Sequence, residues 1–206
     1  MATRPRFEAF VSPVGTAVFP YLITPDTRFN ADGVYTVDLS MPKELASEFT
    51  ARLEKSLNAY FSTELNTTQQ STLAKKPVWK QEYTRPEYPE DCDEDTKAAI
   101  KNAHVPEETG NVLFRMKMNA KFTKRNGDII EQQPIVVDAA TGERVTENVW
   151  SGSVVRVKGQ IIPYINNAAQ IAGLSLRLKS VQVIDLVTGS GDGAGYWTDF
   201  ETEDAA

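Results

Sequence analysis

The sequence predicts a mainly β protein: a closed or partly open antiparallel barrel with one amphipathic helix and a short second helix. Three observations carry that prediction. Apolar side chains recur at every second position over several long stretches, as in half-buried strands. A single stretch, after Pro42, switches to a period of about four. The junctions are rich in Gly, Asn, Asp and Pro, most plainly at Asn126-Gly127, a strong short hairpin signal.

In chain order, FEAFVS (7–12) and GTAVFPYLI (15–23) are rich in aromatic and β-branched residues, with Gly15 and Pro20 predicting bends or an edge. GVYTVDLSM (33–41) alternates cleanly. Leu45, Phe49, Leu53 and Leu57, with Ala46 and Tyr60 beside them, predict a helix over 43–62 that packs on a sheet. Its continuation toward residue 73 meets the Asn66-Thr67-Thr68 cluster. Residues 74–93 read as a long irregular connection, and Asp95 as the cap of a short helix through Asn102, closed off by Pro106. Over 113–124, Phe114, Met116, Met118, Ala120 and Phe122 form one strand face, and Arg115, Lys117, Asn119 and Lys121 the other. A return strand (128–138), a turn at 138–142 and a last long pair (153–165 and 171–187) follow, with Gly159 and Pro163 marking a bulge or bend. Long bent strands capped by one helix suggest a small barrel, and the OB-fold is the commonest of these. The predicted organisation is one OB-fold domain over 1–188, elaborated by helix and loop at 43–110. A flexible Gly-rich linker and an acidic, aromatic tail occupy 189–206.

Charge is unevenly spread. The net charge is −6, yet residues 190–206 hold five acids and no Lys or Arg, and EYPEDCDED (87–95) holds six more acids without a cation. Without the tail the chain has 22 cations against 23 acids, and without both segments 22 against 17. A basic body with acidic attachments points to a nucleic-acid surface and an interaction tail.

Other chemistries find little support. No run of 18 apolar residues predicts a membrane span, and the N-terminus lacks a signal-peptide core. Cys92, the single cysteine, sits in an acidic run and reads as a spectator; His104, the single histidine, has no nucleophile pattern beside it. EDCDED lacks the spacing and glycine of a calcium loop, and GSGDGAG follows the final strand with no helix after it, so it reads as a linker. No catalytic residue, metal or cofactor is therefore expected. What the chain does carry is cations at alternating positions: Arg115, Lys117 and Lys121, then Arg156 and Lys158, then Arg177 and Lys179. Aromatic side chains that could stack bases accompany them: Trp79, Tyr83 and Tyr88 on the 74–93 connection beside Lys80, then Trp150, and Tyr164 in PYINN. Cations that track phosphates and rings that stack bases are the two ingredients of single-strand binding.

Several stretches resemble the acidic-tailed single-stranded DNA-binding proteins of tailed bacteriophages. They are SPVGTAVFPYLITPD (12–26), GVYTVDLSMP (33–42), LFRMKMNAKF (113–122), PIVVDAATGERV (134–145) and VRVKGQIIPYINNAAQIAGLSLRLKSVQVIDL (155–186), followed by the Gly-rich linker and acidic tail. The resemblance implies an OB-fold that coats single-stranded DNA during phage replication, recombination and repair, in the cytoplasm of the infected host. It implies DNA contacts at Arg115, Lys117 and Tyr164. It also implies a tail that competes for the groove and meets phage or host replication proteins. Tyr196, Trp197, Asp199, Phe200, Glu201, Glu203 and Asp204 would serve there as mimics of bases and phosphates. Asn119 and Asn166 stand where family members can carry aromatic residues, which shifts the expected stacking onto the loop aromatics Trp79, Tyr83 and Tyr88, and the tail ends in Ala205-Ala206 rather than on a ring. A homodimer is one assembly such a chain allows. The rival reading is a β-rich phage structural or adaptor protein without DNA binding, with a nuclease a distant third.

Overall fold

A computed structural model describes residues 7–89, 91–124 and 126–188. The acidic tail predicted over 189–206, with its candidate contact residues, lies outside the described residues.

Five long strands form a ring. They are β2 (Gly15–Asp26), β3 (Val34–Pro42), β6 (Glu108–Asn119), β10 (Val154–Asn166) and β11 (Ile171–Asp185). β2 pairs with β3, and β3 with β6 over nine residue pairs from Val34↔Asn119 to Pro42↔Asn111. β6 runs parallel to β11 through Leu176↔Met116 and Arg177↔Lys117, and β11 pairs with β10 along its whole length. β10 returns to β2 through Val154↔Thr16 and Val155↔Gly15, which closes the ring. It is antiparallel except at the β6–β11 contact. Shorter strands extend the edges: β1 (Ala9–Val11) on β10, β4 (Ala74–Lys75) and β9 (Ile135–Asp138) on β11, and β5 (Lys80–Tyr83) on β6.

The alternating pattern puts one side of each strand inside. Val37, Leu39, Phe114, Met116, Val155, Val157, Leu176 and Leu178 are fully or almost fully buried. Helix α1 (Lys43–Thr63) packs its stripe of Ala46, Phe49, Leu53, Leu57 and Phe61 on this core. The Phe49 ring stands 5.6 Å from Phe10 and 5.1 Å from Phe114, so the helix is joined to the barrel by aromatic packing. Leu45, expected in the stripe, is 53% exposed; Ala46 takes the inward position of that turn.

Several boundaries differ from expectation for local reasons. The helix stops at Thr63, and Asn66 starts a separate helix, α2 (Thr67–Thr72). Asn66 and Gln69 exchange side-chain-to-backbone hydrogen bonds in a capping box, which favours a new start over continuation. Helix α3 (Glu94–Ala103) is capped by Asp93, not Asp95, because Asp93 has extended backbone and accepts the Thr96 N–H at 2.7 Å. The 74–93 connection is not wholly irregular: β4 and β5 supply partners to backbone groups of β11 and β6. The alternation through Phe122 is not one strand either. Ala120 donates its N–H to Gly33 O and accepts from Gln132 N, which turns the chain out of the barrel. β7 (Lys121–Thr123) and β8 (Ile129–Glu131) then form a hairpin of their own, where Phe122 is 43% exposed. The return segment splits into β8 and β9 around Pro134. At the predicted bulge, pairing does shift between Lys158 and Gly159, whereas Pro163 stays in register with Leu174.

Candidate nucleic-acid interface

Because Met116 and Leu176 point inward, Lys117 and Arg177 point out, side by side on parallel strands. The row continues across the sheet in register: Tyr21 opposite Thr36, Thr36 opposite Lys117, Lys117 beside Arg177, and Arg177 opposite Gln160. All five strands of the ring contribute to it. Asp38, opposite Arg115, forms the adjacent row.

Further along β10 and β11, Arg156 lies opposite Gln182 and Lys158 opposite Ser180. In the other direction Tyr164 lies opposite Gly173, with its ring over the glycine: a Cβ there would sit 3.0 Å from the Tyr164 Oη. From Arg156 to Tyr164 the strand spans about 26 Å at the usual rise. Lys80, opposite Leu113, shares the outward side of β6 with Arg115 and Lys117.

The cations on this side fall into two kinds. Among the described residues, Lys80, Lys117, Arg156, Lys158, Arg177 and Lys179 are engaged in no ion pair or side-chain hydrogen bond. Arg115 is engaged: its Nε and Nη2 donate to the two oxygens of Asp38 at 2.7 and 2.6 Å. Those hydrogen bonds outweigh partial burial and hold the guanidinium even more firmly protonated than usual. Lys121 stands apart on the β7–β8 hairpin, its Nζ 3.0 Å from Glu131.

The predicted loop rings divide as well. Trp79 packs against the core and directs its Nε1 toward Glu54 of α1 at 3.4 Å, away from the row. Tyr83, opposite Glu108, is 47% exposed at the start of β6.

Sequence reasoning missed three rings at the β2 end of the row. Tyr21 is part of the row itself. Phe19, held at positive φ before Pro20, carries the Arg85 guanidinium 4.4 Å from its centroid. Phe29, in the β2–β3 turn, is 94% exposed. Arg28 lies 5.2 Å from the Tyr21 ring and 5.9 Å from the Phe29 ring, while Nε and Nη2 donate to the two oxygens of Asp26. That hydrogen bonding, against a smaller opposing effect of burial, holds the Asp26 carboxyl below its ordinary range. The signal available was the run VFPY, whose rings read only as strand-formers, followed by DTRF, where Phe29 beside an arginine carried no reading at all.

Residues 14–186, from just before β2 to just past β11, match the family model described as single-stranded DNA-binding protein, bacteriophage T7. The chain belongs to this family. The match includes residues 45–110, which none of the resembling stretches covers. Among relatives, a single-stranded DNA-binding protein of Enterobacteria phage T3 is 26% identical over 212 residues, covering 96% of this chain and 84% of that protein. Its counterpart in Escherichia phage T7 is 25% identical over 205 residues, covering 92% and 81%. The crystal structure of gp2.5, a single-stranded DNA-binding protein encoded by bacteriophage T7, matches with a TM-score of 0.64 at 23% identity, over 98% of each chain. The single-stranded DNA-binding protein of bacteriophage Enc34, in complex with single-stranded DNA, matches with a TM-score of 0.54 at 13% identity, over 89% of each. These likenesses establish the shared fold, an OB-like barrel with helical elaboration. Among the described residues, no helix is long and apolar enough to cross a membrane.

Proposed function

We propose that this chain binds and protects single-stranded DNA without regard to sequence during phage replication, recombination and repair in the host cytoplasm. Its mode of action is binding rather than turnover. The observation that carries this reading is the outward row built on Lys117 and Arg177, with the Tyr21 ring at one end of the row, uncompensated cations along β10 and β11, and the Tyr164 ring four residues beyond Gln160 on β10. Cations of this kind release counterions from a phosphate backbone, and exposed rings stack on any base. Family membership supports the same conclusion.

Within this reading, Lys117, Arg156, Lys158 and Lys80 meet phosphates, Tyr164 stacks a base, and Arg115 borders the row. Lys121, Trp79 and Tyr83 lie at its margin or beyond it. Tyr21, Phe19 and Phe29 extend the stacking surface. The tail, with five acids and three rings over 190–206, competes for this surface and serves as the contact for replication proteins.

Titration of a labelled oligo-dT tests the proposal. With about five phosphates neutralised, affinity should fall roughly a hundredfold between 50 and 200 mM salt. Absence of binding at low salt would eliminate it and leave the structural or adaptor reading.

A further inference from the structure

We propose that Arg115 meets single-stranded DNA as a flat platform on which a base stacks, its charge already neutralised by Asp38, and not as a phosphate anchor. The inference rests on the single-strand reading above and assigns one residue a role within it. The Arg115 fork meets both oxygens of Asp38, the residue directly across on β3, an arrangement that sets guanidinium and carboxylate in one plane. The Asp38 side chain is 13% exposed and that of Arg115 66%, so the carboxylate is sunk toward the sheet while the guanidinium lies open.

With Nε and Nη2 facing Asp38, a phosphate could approach only end-on, at the remaining Nη1 and Nη2 hydrogens, where the neighbouring carboxylate offsets the charge that would attract it. A base approaching the face of the plane breaks nothing. Guanidinium planes stack on nucleobases and aromatic rings. This protein already uses the arrangement once: Arg28, clamped in the same bidentate way by Asp26, lies against the rings of Tyr21 and Phe29. Lys117, on the same side of β6 two residues on and about 7 Å away along the strand, is unpaired among the described residues and takes the phosphate of the stacked nucleotide.

The test compares the salt dependence of binding to oligo-dT and to an abasic strand of equal length, for the wild type, Arg115→Lys, Arg115→Gln and Lys117→Gln. Loss of a phosphate contact in Lys117→Gln should flatten the log–log salt slope by about 0.7. Arg115→Lys keeps the charge and can still reach Asp38 but has no plane. It should weaken oligo-dT binding roughly 5-fold or more, with the slope and the abasic strand's affinity unchanged. Arg115→Gln should likewise leave the slope unchanged. Wild-type oligo-dT affinity in Arg115→Lys, a slope change in Arg115→Gln matching that of Lys117→Gln, or equal losses of Arg115→Lys on both strands would each overturn the platform while leaving single-strand binding standing. Failure of the wild type to bind oligo-dT removes the parent reading, and the platform with it.

Discussion

A methyl group at Gly159 has nowhere to go. It would collide with the Arg177 carbonyl oxygen and lie 2.6 Å from the Phe10 ring, at the bulge where the β10–β11 register shifts. The obstacle on one side is backbone, which cannot swing aside as a side-chain tip can. Gly159→Ala should therefore cost about 1–3 kcal/mol or more, read as a lower midpoint in chemical denaturation. A loss under about 0.5 kcal/mol, the range of ordinary surface substitutions, would mean that the bulge yields easily. At the same scale, the cations of the interface were legible in the sequence but their electrostatic state was not. Arg115 and Lys117 look equivalent in FRMKM; Arg115 is compensated by a residue 77 positions away, and Lys117 is not. Pairing across a barrel is a property of register, which no local pattern contains.

Among elements, the strap from β1 to α1 offers a pH test. Glu8 accepts Arg52 Nε and Nη2 at 3.0 and 2.8 Å and the Ser56 hydroxyl at 2.8 Å. Partial burial pushes its carboxyl up, but the hydrogen bonds from Arg52 and Ser56 together with the Arg52 charge outweigh burial, and the net shift is downward. A carboxyl with a lowered pKa in the folded state stabilises above its unfolded pKa, and that contribution is lost as pH falls through the folded value. Both side chains are over 40% exposed, so screening limits the contribution to about 1 kcal/mol or less. Glu8→Gln should lower Tm at pH 7 by a small margin that closes as pH falls below the ordinary carboxylate range, where the wild-type carboxyl protonates as well. A margin independent of pH would assign the effect to packing. The elements themselves were largely readable: alternation placed β3, β6, β10 and β11, and a four-residue period placed α1. What alternation cannot register is where a strand leaves its sheet. Phe122 continues the pattern of Met116 and Met118, but the hydrogen bonds of Ala120 with Gly33 and Gln132 have already carried the chain out. Nor could it reveal that β11 runs parallel to β6, the contact that sets Arg177 beside Lys117.

For the whole molecule, the acidic net charge and the basic face belong to one proposed mechanism. The body carries the uncompensated cations of the row, and residues 190–206 carry five acids with Tyr196, Trp197 and Phe200 among them. A segment of that composition offers the row the same two features as single-stranded DNA, negative charge and stacking rings, at the high effective concentration of a tethered competitor. Truncation after Thr188 should then tighten oligo-dT binding. The advantage should be largest at low ionic strength and shrink as salt screens both competitor and ligand. Adding the tail sequence back as a free peptide should require far higher concentrations to inhibit, because the tether is gone. If the truncated chain binds no more tightly than the full chain, the tail does not compete for the row. If the advantage persists undiminished at high salt, the competition is not electrostatic, and the rings of the tail rather than its acids carry it.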